Sequence, residues 1–237
     1  MNKLRRAFLR TFLIQGSFNY DRMIGVGLAY SMEPLIGDMG KDVAARSAQF
    51  FNAHPYMAGL AAGALARAER DGVEEQQVMA LRNALVGALG SVGDRMFWAG
   101  VLPIAAGVGL SLAARVDPTV GAVVFFVLYN LLHVPLRWWG IRAGWDHGLK
   151  VASVLNRRRI QRSLRVVGPL AGVSVGVAIP LVAEWLVADL ARAETIGVAV
   201  IAAVAIIVSR WVAPSFGGIR FGLFAAGLAL IAGALWV

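Results

Sequence analysis

Long apolar runs separated by short basic segments constrain the fold of this chain more than any other feature. The clearest runs are residues 84–114, 119–135, 166–186 and 221–237. A membrane-spanning helix needs about 20 mainly apolar residues. With 58% hydrophobic and 16% charged residues and a mean hydropathy of +0.66, the sequence is too apolar for an ordinary soluble domain. We predict an all-α polytopic membrane protein, with several transmembrane helices plus interfacial and re-entrant helices.

The formal net charge is +9, and the basic residues that produce it lie beside the apolar runs and not in a separate basic domain. This placement indicates membrane orientation and no nucleic-acid partner. Residues 137–165 carry eight basic residues against one acid, Asp146, which predicts a cytoplasmic segment. We divide the chain into a core domain, residues 1–165, and C-terminal transmembrane helices, residues 166–237. The expected later topology is residues 189–194 outside, 196–208 crossing inward, 210–220 inside and 221–237 crossing outward.

The N-terminal residues 1–14 are predicted to form a basic amphipathic helix at the cytoplasmic membrane surface, because apolar and basic side chains fall on opposite faces. Arg10 interrupts the apolar stretch and no small-residue cleavage site follows. We therefore expect an uncleaved N-terminus that lies in the cytoplasm. Two polar segments are also predicted: residues 37–49 at the interface, and residues 67–82 as a water-facing helix.

Prolines are expected to end two of the apolar helices. Residues 23–35 are apolar up to Pro34, and residues 119–135 form a good span that starts after Pro118 and stops at Pro135. A proline inside a helix removes one backbone hydrogen bond and clashes with the preceding turn. We therefore place helix ends at both positions.

Two glycine pairs are expected to allow close helix packing. Gly25 and Gly27 lie within the apolar run 23–35 and permit either close helix approach or local unwinding. Gly59 and Gly63 have the small-xxx-small spacing that brings backbones together in lipid. The second pair belongs to residues 54–65, which are short for a full span. We therefore predict a re-entrant or tilted helix there.

Five polar side chains in this apolar chain are candidates for substrate binding: Gln15, Asn19, Asn52, His54 and Asp94. Polar groups at membrane depth must find partners or face a cavity. The amides lie near aromatic residues, a mixture that suits a carbohydrate because amides bond paired hydroxyls and flat rings cover C–H patches. Hydrogen bonding between helices is the alternative role for the same side chains.

Asp94 follows three glycines spaced three residues apart, Gly87, Gly90 and Gly93. One interpretation is a loop or broken helix at membrane depth, where Asp94 accepts hydrogen bonds from sugar hydroxyls. The other is that the glycines pack helices and Asp94 pairs with Arg95 or a distant arginine. No Walker lysine follows the glycines, so a phosphate-binding loop is not supported.

The sequence contains no pattern typical of a self-contained active site. It has no cysteine, and its three histidines are far apart without metal-ligand spacing. No Ser/His/Asp arrangement or acid pair is present. We therefore expect no metal, no cofactor and no enzyme activity in this chain.

Four segments occur in an order and spacing that closely resemble the IID membrane subunit of the mannose-type (mannose/fructose/sorbose) phosphotransferase system. The likeness is continuous from about residue 8 to residue 151 and looser beyond. The four segments are FLRTFLIQGSFNYDRMIGVGLAYSMEP, FFNAHPY, GALGSVGDRMFW and FFVLYNLLHVPLRWWGIRAGWDHG.

The resemblance implies a sugar-transport subunit in the cell inner membrane. Such a subunit pairs with a IIC membrane subunit, and the IIC–IID pairs are expected to form a trimer. Soluble IIA and IIB phosphocarriers would phosphorylate the hexose during uptake. Three departures from the family pattern leave room for a non-transporting scaffold: no proline precedes Gly90, Arg95 follows Asp94, and the polar insertion before the last spans is nearly absent. An intramembrane enzyme acting on a lipid-linked sugar is a further alternative.

Overall fold

The computed structural model describes residues 3–156 and 158–187, together with the isolated positions 196, 197, 200 and 204. Residues Met1–Val182 form one compact unit, and a second unit begins at Ala183. The predictions for residues 189–194, 196–208, 210–220 and 221–237 lie outside the described residues, apart from those isolated positions. The account that follows concerns the first unit.

The described chain is almost entirely helical, as predicted. Among the described residues, β-type backbone pairing is limited to isolated bridges. The helices are α1 (Lys3–Thr11), α2 (Gly25–Ile36), α3 (Lys41–Ser47), α4 (Ala58–Arg70), α5 (Glu75–Gly93), α6 (Leu102–Arg115), α7 (Pro118–His147), α8 (Ala152–Leu155) and α9 (Arg158–Val187). A π-helical segment, Asp94–Val101, joins α5 to α6, and short 3-10 turns cover Ile14–Ser17 and Gly148–Lys150.

Among the described residues, three stretches are long and apolar enough to cross a membrane: Glu75–Arg115, Pro118–Lys150 and Ile160–Trp185. The first combines α5, the π-helical segment and α6. The middle of α7 exposes large apolar side chains such as Phe126 and Leu131, which is the surface that a lipid-facing helix presents. The all-α membrane architecture is therefore confirmed.

The core of the unit is the crossing of α4 and α7. Glycines at this crossing allow the two helix backbones to approach each other closely. A Cβ atom on Gly63 would lie 2.6 Å from the backbone nitrogen of Trp145, and one on Gly144 would lie 2.8 Å from that of Ala64. Both distances are too short for real contacts, so only glycine permits this approach. The predicted close packing at Gly63 is confirmed.

Gly25 and Gly27 also permit close approach, as predicted. A Cβ atom on Gly27 would lie 2.7 Å from the Cα atom of Ile14, and one on Gly25 would lie 3.0 Å from the carbonyl carbon of Gln49. The start of α2 is therefore held tightly between the turn that follows α1 and the segment that follows α3.

The predicted helix end at Pro135 is wrong, and the one at Pro34 is two residues early. Helix α2 passes through Pro34 and ends at Ile36, and α7 passes through Pro135 to His147. An interior proline costs roughly 3 kcal/mol in an isolated helix. The continuation of α7 packs against α4 through Gly140 and Gly144, and this packing offsets the cost. As a result Arg137, assigned above to a cytoplasmic segment, is buried in the interior.

The prediction of one water-facing helix over residues 67–82 is also wrong. Helix α4 ends at Arg70, and the chain turns at Gly72, whose φ of +69° favours glycine. Helix α5 then begins at Glu75. Arg82 is buried, and its guanidinium donates hydrogen bonds to backbone carbonyls, including that of Phe50 at 3.3 Å.

The other two polar or amphipathic segments are shorter than predicted. Helix α1 ends at Thr11, and it is continued by a 3-10 turn that starts at Ile14. The polar segment 37–49 contains a seven-residue helix, α3, whose Val43 and Ser47 are buried. The polar exterior of this segment thus covers a small apolar contact with the core.

Candidate functional site

Two loops that are far apart along the chain are joined by backbone hydrogen bonds. The nitrogen of Ile24 donates to the carbonyl of Phe51 (3.1 Å), and the nitrogen of Phe51 donates to the carbonyl of Arg22 (3.2 Å). Met23, between them, has a φ of +51°, a conformation that is uncommon for any residue but glycine. The segments that carry Asn19 and Asn52 are therefore parts of one structure, here called the loop pair (residues 15–24 and 50–57).

The side chain of Asn19 holds the first loop in shape. Its amide nitrogen donates to the carbonyl of Ser17 at 3.1 Å, and its side-chain oxygen accepts from the backbone nitrogen of Arg22 at 2.8 Å. Gln15 and Asn52 differ from it because both are exposed and neither has a side-chain hydrogen bond to the described part of the chain. These two amides have their full hydrogen-bonding capacity available.

His54 is buried under aromatic rings at the end of the loop pair. Its ring stacks on Phe97 with 5.0 Å between the centroids, and it contacts the rings of Tyr56 and Trp98. A Cβ atom on Gly93 would lie 2.5 Å from the Cγ atom of His54. The structure thus places His54 directly against the residue that precedes Asp94.

The Nε2 atom of His54 has no hydrogen-bond partner within the described residues, whereas Nδ1 lies 3.3 Å from the backbone nitrogen of Tyr56. In that geometry Nδ1 accepts the hydrogen bond. The proton of a neutral imidazole is then on Nε2, which leaves an unused donor among the rings of Phe97, Tyr56 and Trp98.

Asp94 lies at the start of the π-helical segment and not in a loop or a broken helix, so that expectation is wrong. Widened helical turns of this kind are frequent at functional sites. The Asp94 carboxylate is exposed, and it has no hydrogen bond or ion pair with any described residue, Arg95 included. Of the three glycines before it, only Gly93 packs against another residue, because Gly87 and Gly90 have open space beside them.

The sequence analysis missed an aromatic cluster around Arg137, which is 4% exposed. The guanidinium carbon lies 4.4 Å from the ring centre of Tyr56 and 4.9 Å from that of Phe12. Arg137 also donates a hydrogen bond to the carbonyl of Thr11, and Tyr129 donates one to the hydroxyl of Tyr56 at 2.8 Å. These contacts connect α1, the loop pair and α7.

One pattern in the sequence could have revealed this cluster. Tyr129, His133 and Arg137 are spaced four residues apart, so they share one face of a continuous helix. The predicted helix end at Pro135 places Arg137 outside the helix of the other two residues, and this hides the common face. The structure shows the stacked rings of Tyr129 and His133, 5.1 Å apart, on that common face.

Ionic contacts outside the spans hold the polar side of the unit together. Glu69 accepts two hydrogen bonds from Arg46, at 2.8 and 2.5 Å, and this partner raises the pKa of Arg46. A hydrogen bond from Arg70 lowers the pKa of Asp38. An open groove of about 510 Å³ next to the loop pair is lined by Arg22, Phe50 and neighbouring charged residues. None of the five candidate residues lines this groove.

The structure therefore brings His54 to Gly93 and joins the loops of Asn19 and Asn52, while it leaves Gln15 as an exposed residue of the turn after α1. No group of three or more metal-ligating side chains occurs among the described residues. Amides, a carboxylate and aromatic rings can together bind a neutral polar solute. A multi-span helical membrane protein with polar, aromatic-rich loops is the class defined by this arrangement.

The chain belongs to the IID component family of the mannose/fructose/sorbose phosphotransferase system, whose sequence profile matches residues 1–186. It is therefore a component of a sugar permease. The resemblance stated from the four sequence segments is confirmed.

Relatives with assigned functions support this membership. The chain is 31% identical over 199 residues to the mannose-specific EIID component of Escherichia coli K12, covering 76% of this chain and 70% of the relative. It is 31% identical to the sorbose-specific EIID component of Klebsiella pneumoniae, covering 75% and 68%. It is 28% identical to the fructose permease IID component of Bacillus subtilis, covering 74% and 70%.

Solved structures share the fold. A membrane protein structure matches with a TM-score of 0.67 and 27% identity over 73% of this chain and 68% of that one. A chain from the complex of the mannose transporter ManYZ with microcin E492 matches with a TM-score of 0.59 over 97% and 95%. At 22% identity the second match bears on the fold alone.

Proposed function

We propose that this chain pairs with a IIC membrane subunit to form the translocation pathway for a mannose-type hexose. The hexose is phosphorylated by a IIB subunit during uptake, and IIB is recharged by IIA. The chain lies in the cell inner membrane with its N-terminus in the cytoplasm, and the IIC–IID pairs form a trimer. Phosphoryl transfer belongs to the soluble partners, so this chain binds sugar and partner but is not itself an enzyme.

The observation that carries the proposal is the loop pair together with the Gly93 contact. Its two segments carry unused hydrogen-bonding groups: the amides of Gln15 and Asn52 are unpartnered within the described residues, and so is the Nε2 atom of His54. Tyr56 and Trp98 supply flat apolar faces next to His54. A hexose presents both hydroxyls and C–H faces, and this mixture complements it.

The need for a second membrane chain is supported by the charges on the first span. Asp94 and Arg95 are both exposed near the middle of the 41-residue stretch Glu75–Arg115. A charge at the centre of a bilayer costs about 2.5–3.5 kcal/mol on insertion scales, and such residues face a cavity or another protein. A IIC partner or a solute path covers this surface better than lipid does.

The proposal is tested by co-expressing the chain with its IIC, IIB and IIA partners in cells that lack other hexose uptake. Accumulation of hexose phosphate that depends on phosphoenolpyruvate is the expected result. Omitting this chain alone is the control, and it should abolish accumulation. If the complex assembles but no sugar from a broad panel is taken up, the chain is a non-transporting scaffold and the proposal is wrong.

Two substitutions test the site. Asp94→Ala and Asn52→Ala remove side chains that make no hydrogen bond or ion pair with the described residues, so each should lower sugar affinity about tenfold, which corresponds to about 1.4 kcal/mol, and leave assembly unchanged. Asn19→Ala should also lower affinity, but through the shape of its loop, because both ends of its amide are bonded there. Asn83→Ala, an exposed asparagine on α5, is the matched control. Unchanged uptake kinetics in the first two variants would remove both residues from the site.

A further inference from the structure

We propose that Arg137 is a positioning residue for the sugar site: it holds Tyr56 of the loop pair, together with the end of α1 that leads into the other loop, against α7. This inference rests on the proposed function, because the loop pair is the part of the site that it would hold. Arg137 is buried, and no carboxylate forms an ion pair with it across residues 3–156 and 158–187. A desolvated guanidinium is costly without close partners, so its contacts indicate what it does.

The first contact holds the entrance to the first loop. Arg137 donates to the carbonyl of Thr11, the last residue of α1, and its guanidinium faces the ring of Phe12 at 4.9 Å. A cation at the carboxyl end of a helix satisfies an unpaired carbonyl and interacts well with the helix dipole. The 3-10 turn that carries Gln15 begins three residues after Thr11.

The second contact holds the other loop. The guanidinium carbon lies 4.4 Å above the ring of Tyr56, at the shorter of the two cation–π distances. Tyr56 in turn contacts His54 twice, through its backbone nitrogen at 3.3 Å and through its ring at 5.1 Å between centroids. One side chain on α7 therefore contacts both the end of α1, which leads into the turn of Gln15, and Tyr56, which packs on His54.

Closure of the crossing between α4 and α7 does not explain these contacts. The crossing of α4 and α7 is already closed by Gly63 and Gly144, which permit backbone contact. The contacts of Arg137 are directed instead to the end of α1 and to the loop before α4. The Nε atom of Arg137 has no partner among the described residues, so the position of the side chain is set by its contacts with the end of α1 and with Tyr56 and not by a full set of hydrogen bonds.

The absence of cysteine in the sequence makes a direct distance measurement possible. Spin labels on the double variant Gln15→Cys, Asn52→Cys report the separation of the two loops in the assembled, membrane-reconstituted complex. Arg137→Met should broaden the distance distribution at least about twofold, because the contacts with Thr11 and Tyr56 are lost. Arg137→Lys should restore it in part, since lysine keeps the charge but not the planar fork. Arg142→Met, which changes an exposed arginine on the same helix, should leave the distribution unchanged.

Transport of unlabelled variants supplies the second readout. Arg137→Met should raise the half-saturating sugar concentration about tenfold through misplaced site groups, with the maximal rate changed less than about twofold. A lower maximal rate at unchanged half-saturation, or an unbroadened distance distribution, would overturn the inference. If Arg137→Met fails to assemble, Arg137→Lys and Tyr56→Leu decide the question by the same two measurements. If the unmodified complex takes up no sugar, the proposed function fails, whereas the distance distributions still decide whether Arg137 positions the loops.

Discussion

Replacing Gly63 with alanine tests whether glycines set the distance between α4 and α7. The added Cβ atom would lie 2.6 Å from the backbone nitrogen of Trp145 and closer still to the carbonyl of Ile141, whereas ordinary contact begins at 3.4 Å. Both contacts are to backbone, so no side chain can rotate away, and the helices must separate by about 1 Å. Overpacking of this kind costs about 1–3 kcal/mol. We expect a lower thermal unfolding midpoint for the detergent-purified protein.

Gly87→Ala is the matched control for this substitution. Gly87 lies inside α5, and a methyl group added there would meet nothing within 4 Å, so alanine adds helix propensity worth up to about 1 kcal/mol without a clash. The two Gly→Ala changes should therefore shift the midpoint in opposite directions. A Gly63→Ala protein as stable as the unmodified one would refute the reasoning. Combining Gly63→Ala with Gly144→Ala should cost less than the two separate effects together, because one separation of the helices relieves both clashes.

Two further predictions concern charged groups outside the membrane-spanning stretches. Glu69→Gln should lower the free energy of unfolding by about 2 kcal/mol, which denaturant titration can measure. The carboxylate is only 3% exposed, so its loss removes a buried ion pair, and the cost is moderated because Arg46 is 20% exposed and keeps some hydration. No loss would show that the buried pair contributes nothing. Hydrogen bonds from the backbone nitrogens of Val120 and Thr119 lower the pKa of Asp117, which caps α7. The capping contribution should be complete above the ordinary pKa of 3.8 and disappear as the pH falls through the lower folded-state pKa. Asp117→Asn, which keeps an acceptor, should flatten that part of the unfolding midpoint measured against pH, and an unchanged pH profile would contradict the assignment.

Sequence reasoning succeeded where local chemistry and tertiary structure agree. Apolar length predicted the spans, and glycine spacing predicted close approach at Gly25, Gly27 and Gly63, because a missing side chain has the same consequence in any close helix contact. The order of four sequence segments also predicted the family. None of these conclusions depends on which helix lies next to which.

It failed where packing overrides a local preference. Pro135 is an ordinary helix-ending residue, yet α7 continues past it to His147 and packs there against α4 through Gly140 and Gly144. Helix α2 likewise continues past Pro34, to the buried Leu35 and Ile36. The stretch 67–82 contains enough polar residues for a water-facing helix, but a left-handed Gly72 divides it and the fold buries Arg82. A propensity describes an isolated segment, and it cannot include contacts made by distant residues.

The sequence alone determined that this chain is a helical membrane protein of the IID family, and it singled out five polar residues for a sugar site. Tertiary structure decided what surrounds them: His54 packs against Gly93, and the loops that carry Asn19 and Asn52 are joined by backbone hydrogen bonds. It also decided that Arg137 is enclosed by Tyr56 and Phe12. The physical reason is that composition and periodicity set which groups must avoid water or lipid, whereas only the long-range packing of helices chooses the partners that satisfy them.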